Sequence, residues 1–93
     1  KNKDPMSNVL ENYASVYNQE HQYTEEVYTR KQLLNLYKQD DEKESLQLFL
    51  LMMSYYNLGY FDNVKKTAEL YNQLYPTGSY IESIKSVVNF LPK

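Results

Sequence analysis

Ser54-Tyr-Tyr-Asn-Leu-Gly-Tyr-Phe-Asp-Asn-Val64 is the stretch that decides how the chain folds. It joins two apolar-periodic segments through one glycine. Upstream, from Leu46 to Tyr56, only Gln47 and Ser54 are polar apart from the tyrosine hydroxyls. Such a run predicts a helix over 42–58, buried between neighbours. Downstream, Phe61, Val64, Ala68, Tyr71 and Leu74 recur at helical spacing and predict a helix over 61–75. Glycine ends helices because it enters the left-handed conformation without a Cβ penalty, so Gly59 turns the second helix back on the first. Pro76 stops that helix, and Thr77-Gly78 makes the next turn.

The pattern continues on both sides. Asp4-Pro5 opens a helix over 5–20, with Asp as N-cap, Pro at the first helical position and a polar lead before it. Val9, Leu10, Tyr13, Ala14, Val16 and Tyr17 form its apolar side, on which Tyr13 and Tyr17 are expected to be buried. His21-Gln22-Tyr23-Thr24 breaks the pattern. Thr24 is the expected cap of a helix over 24–38, whose Glu25 and Glu26 stand where the helix dipole favours negative charge. Val27, Leu33, Leu34 and Tyr37 give that helix its apolar stripe. After Pro76, Ser79-Tyr-Ile-Glu82 reads as a capping box before a helix over 79–91. Its stripe is Ile81, Ile84, Val88 and Leu91, and Pro92 ends it. Five helices joined by short loops make an all-α fold of antiparallel hairpins. Two hairpins plus a C-terminal helix form a single domain over 1–93.

Composition narrows the function. The chain has 93 residues, 42% of them apolar, and a formal net charge of -2. Its mean hydropathy is -0.73, and the longest unbroken apolar run, Leu48 to Met53, is far too short to span a bilayer. No basic cluster is present to neutralise phosphates, so neither a nucleic-acid partner nor direct membrane insertion is expected. The absence of cysteine removes thiolate chemistry and Cys-type zinc sites. The chain starts at Lys1 rather than Met, which predicts a processed or excised chain. Tyrosine is the unusual residue, 11 of 93.

Ser45 to Gly78 spans 34 residues and contains Leu48-x2-Leu51-Met52-x2-Tyr55, then Val64-x3-Ala68, then Pro76. With the Gly59–Phe61 turn, this segment resembles the tetratricopeptide-repeat family. The resemblance implies a well-formed repeat at 45–78, a degenerate one at 8–38 and a capping helix at 79–91. In the degenerate copy Leu10, Tyr13, Ala14, Tyr17 and Tyr23 match, while His21 takes the glycine's place and Glu26 a small residue's. Tyr17 and Tyr55 are 38 residues apart, so the loop or the second helix is expected to carry an extra turn. Met52 replaces a small residue, which would widen the second hairpin. Glu82, Ser83, Lys85, Ser86 and Asn89 supply the polar outer face that an array end needs. Leu74-Tyr-Pro-Thr-Gly-Ser-Tyr80 is similar to repeats of bacterial outer-membrane barrel-assembly lipoproteins, implying an envelope scaffold that holds larger proteins.

Residues with catalytic potential read as structural. His21, the single histidine, lacks a nucleophile motif and falls in a loop. Asp40, Asp41, Glu42 and Glu44 lack the ligand order and central glycine of a calcium loop, and they suit a helix N-terminus. No enzymatic activity, cofactor or metal is expected. The expectation is a protein–protein interaction module. In the family, first helices line a concave groove, and the matching side chains here are Leu46, Phe49, Met53, Tyr56 and Asn57, with Tyr60 beside the turn. Asn8, Glu11, Ser15 and Asn18 are their counterparts in the first helix. Packing of Leu46, Phe49 and Met53 on the first or fifth helix is the competing reading. Tyr28, Tyr56, Tyr60, Tyr75 and Tyr80 are further interface candidates, because tyrosine is enriched at binding hot spots. A protein or peptide partner in a larger complex is expected. Paired lysines for a C-terminal carboxylate are absent from the groove. The alternatives are a spacer or assembly segment of a longer helical array, and a regulatory domain of a peptide-sensing transcription factor.

Overall fold

The computed structural model describes residues 5–92, which form five helices. They are α1 (Pro5–Gln19), α2 (Tyr23–Leu36), α3 (Asp41–Leu58), α4 (Phe61–Leu74) and α5 (Ile81–Asn89). The fold is all-helical, an arrangement of helical hairpins. The expected Asp4 cap and the polar lead lie outside the described residues. Each helix packs on the next in chain order, giving a flat row with extents of 42 × 30 × 15 Å. The inner helices therefore have a neighbour on each side, while α1 and α5 have one main neighbour each.

The second helices of the two hairpins repeat each other at a shift of 38, while the first helices differ in length, 15 residues in α1 and 18 in α3. Tyr23–Leu36 becomes Phe61–Leu74. The turns match as well. Gln22 N–H donates to Tyr17 O and His21 N–H to Asn18 O; at the second turn Tyr60 donates to Tyr55 O and Gly59 to Tyr56 O. Both are the double bond that closes a helix through a left-handed residue. His21 has φ 60° and Gly59 φ 78°, so the histidine adopts the conformation its position requires. The buried residues of α2 are Glu26, Thr29, Arg30 and Leu33; those of α4 are Val64, Thr67, Ala68 and Tyr71, the same positions shifted. Even the threonine hydroxyls agree: Thr29 donates to Glu25 O and Thr67 to Asn63 O. Since α2 and α4 both have 14 residues, the extra turn expected in the first repeat is not in its second helix.

The apolar core falls into two clusters. Leu48, Leu51, Met52, Tyr55, Val64, Ala68, Tyr71, Ile81, Ile84 and Leu91 join α3, α4 and the C-terminal segment. Ala14, Leu33 and Tyr37, with Leu10 against them, join α1 to α2. Burying a side chain such as Leu33 completely contributes about 1.5–3 kcal/mol.

Several local expectations need correction. Gln22, not Thr24, caps α2, and no side chain bonds to the helix start. The Ser79–Glu82 box does not form: α5 starts at Ile81 after Tyr80, again without a side-chain cap. The Tyr71 hydroxyl does that work, accepting from Tyr80 N–H at 3.0 Å. Gly78 makes room for it, since a Cβ there would lie 2.4 Å from the Tyr71 oxygen. α5 is accordingly shorter than expected. Asp40 does cap α3, accepting from Lys43 N–H at 3.2 Å, and Gly59 ends it. Tyr13, expected in the core, is 55% exposed, and Val9 and Val16 are exposed beside it. Helical spacing identifies an apolar side; it does not say that a neighbour covers it.

Candidate functional site

The candidate residues of α3 and its turn separate into two groups. Phe49 is half-buried and stacks on Tyr80, with ring centroids 4.9 Å apart and planes 7° from parallel. It thus holds the start of α5. Met53 is half-buried against the main core, and Leu46 is also half-buried. Tyr56, Asn57 and Tyr60 are exposed. Tyr56 leans on the Phe61 ring, centroids 6.0 Å apart. The Gly59 turn therefore carries exposed Tyr56 on one side and exposed Tyr60 on the other. Of the remaining tyrosine candidates, Tyr28 is exposed at 69%. Tyr75 and Tyr80 are half-buried and already engaged within the fold.

A polar set, buried except for Asn18, links the first three helices. Glu26 is 1% exposed, and its carboxylate accepts from Arg30 Nε at 2.7 Å. Arg30 Nη1 donates to Gln47 Oε1 of α3 at 2.8 Å. Asn18 of α1 donates to both Glu26 oxygens, at 3.2 and 3.3 Å. Among the described residues no buried side-chain polar atom lacks a partner. Shifted by 38, Glu26 and Arg30 become Val64 and Ala68, so the first hairpin holds an ion pair where the second packs hydrocarbon. Charge alone puts Glu26 in the first turn of α2; it does lie there, but it faces inward. Sequence reasoning misses Arg30. Two signals nevertheless point to the set: Glu26, Arg30, Leu33 and Tyr37 share a helical stripe, and Gln47 interrupts an apolar run.

Each hairpin also carries a tyrosine–carboxylate brace. Tyr37 follows α2 and donates its hydroxyl to Glu11 of α1. Tyr75, its counterpart after α4, donates to Glu44 of α3. Burial raises the Tyr37 hydroxyl from about 10 to about 12, and its hydrogen bond to Glu11 acts in the same direction. Tyr75 is pushed up in the same way, by burial first and then by Glu44. These braces explain Glu11 and Glu44, which pattern alone reads as groove-lining and helix-start acids.

Among the described residues no group of three or more His, Asp or Glu converges on a common point, and no helix is long and apolar enough to cross a membrane. Comparison with known protein families, with curated proteins and with solved structures found no match.

Proposed function

We propose that the chain is a helical-repeat interaction module of the tetratricopeptide kind, which holds a protein or peptide partner against the Tyr56–Tyr60 end of α3. The observation that carries this reading is the pair of exposed aromatics, Tyr56 and Tyr60, with exposed Asn57 between them on a turn fixed by Gly59. Aromatic rings on a rigid turn offer a large contact area at little entropic cost, and the amide supplies directional hydrogen bonds. The match at a 38-residue shift of α2 with α4, in length, preceding turn and buried positions, supports the repeat reading. Binding then works by shape and apolar burial, without chemistry.

Panning a peptide library against the 93-residue chain tests it. Selected peptides should lose at least tenfold in affinity, about 1.4 kcal/mol, against Tyr56→Ala or Tyr60→Ala. Both variants should keep the wild-type circular dichroism. NMR shifts on titration should centre on Tyr56 to Phe61. Selected peptides that bind both variants as tightly as wild type, or that perturb another face, would refute the reading.

A further inference from the structure

Each end of the helical row leaves an apolar surface open within the chain. At one end, Val9, Tyr13 and Val16 of α1 lie three to four residues apart on one side of the helix and are between 43% and 55% exposed. Their counterparts 38 residues on are Gln47, Leu51 and Ser54, all buried in α3, and Gln47 is held by Arg30 of α2. The open side of α1 is thus the side that α3 turns toward the preceding helix. At the other end, a cavity of about 320 Å³ opens between α4 and α5, with Ala68, Ile81, Ile84 and Val88 as its apolar lining and Lys65 and Lys85 beside them. Its α4 wall corresponds to the wall of α2 that holds α3, for Ala68 is the counterpart of Arg30. α5 has nine residues where α3 has 18, so it leaves that wall part-covered.

We propose that a second copy of the chain fills the cavity, with the Val9–Tyr13–Val16 side of α1 in one copy lying in the α4–α5 groove of the next. The chain then carries both halves of a contact that copies its own α2–α3 packing. Charge fits the same pairing. No basic residue occurs in α1, and the exposed Glu20 continues the stripe one turn past Val16. The groove presents Lys65 and Lys85 against a single acid, Glu69. Pairing two α1 stripes would leave those lysines unmatched and the groove empty. Because the two surfaces differ, the contact is head-to-tail and does not close on itself at two chains.

One helix in one groove is a small interface. Sedimentation velocity from about 10 µM to about 1 mM covers the affinity range expected of it. The mass of the wild-type chain should rise with concentration, past two chains. Tyr13→Lys and Val88→Lys should each stay monomeric, with unchanged circular dichroism. An equimolar mixture of the two should associate and stop at two chains, since one variant keeps the groove and the other keeps the stripe. If Val88→Lys unfolds, Lys65→Glu/Lys85→Glu takes its place as the groove variant and repels Glu20. A wild-type monomer throughout the range overturns the proposal. So does a mixture that fails to associate, or an assembly lost in Tyr13→Lys but kept in the groove variant, which would be α1–α1 pairing.

Discussion

Glu26 and Arg30 show what one substituted pair does to a repeated scaffold. A buried ion pair contributes little net stability, because desolvation offsets the attraction, but an abandoned partner is costly. Arg30→Ala alone leaves Glu26 buried without its cation and should cost about 3–5 kcal/mol in urea denaturation. The second hairpin names the compensating change. Glu26→Val with Arg30→Ala copies Val64 and Ala68 and should recover most of that loss; a double variant as unstable as the single would disprove the equivalence of the two positions. Tyr37 offers a pH test. Its folded hydroxyl titrates near 12 rather than 10, so the neutral form is favoured by folding. The stabilisation is complete below about pH 10 and is lost as pH rises from there toward 12. Tyr37→Phe should remove this part of the alkaline decline, measured as the difference between the two chains in denaturation midpoint across that range. A pH profile unchanged by the substitution would contradict it.

At the scale of elements, the turns set the repeat. His21 and Gly59 adopt the same left-handed conformation, but only one of them is glycine. His21→Gly should therefore stabilise by up to about 1 kcal/mol, and Gly59→Ala should destabilise by about 1–2 kcal/mol, read from thermal or chemical unfolding. Open space surrounds a Cβ at Gly59, so that cost is one of backbone conformation alone. The helices were legible from such signals: Gly59, Pro76 and the breaks around His21 and Asp40 place four connections to within a few residues. The caps of α2 and α5 were not. Thr24 and Ser79 have the right chemistry, but α2 starts two residues earlier than a Thr24 cap allows, and the turn before α5 is held from a distance by Tyr71. Local sequence cannot display a hydrogen bond donated across nine positions. The candidate site was legible in part for the same reason. Periodicity placed Phe49 and Tyr56 on helical faces, but Phe49 is claimed by Tyr80, a contact set by where α5 lands.

As a whole, the molecule is a row in which stability should grade from the middle outward. α3 packs on both sides and supplies Leu48, Leu51, Met52 and Tyr55 to the main core, whereas α5 docks on one side through a short helix. Hydrogen exchange should find the slowest amides in α3 and the fastest helical amides in α5. Equal protection across all five helices would mean the row unfolds as one unit. The same plan carries a hazard. Two second helices of equal length invite mispairing during folding, because α2 and α4 offer one another's shape to α3. The Glu26–Arg30 pair gives each hairpin an identity. Docked in the place of α4, α2 would carry a carboxylate and a guanidinium into a site lined for Val64 and Ala68, away from Asn18 and Gln47. A charge that finds its partners in only one of two look-alike positions penalises the exchange of α2 for α4, as a key cut for one lock jams in its twin.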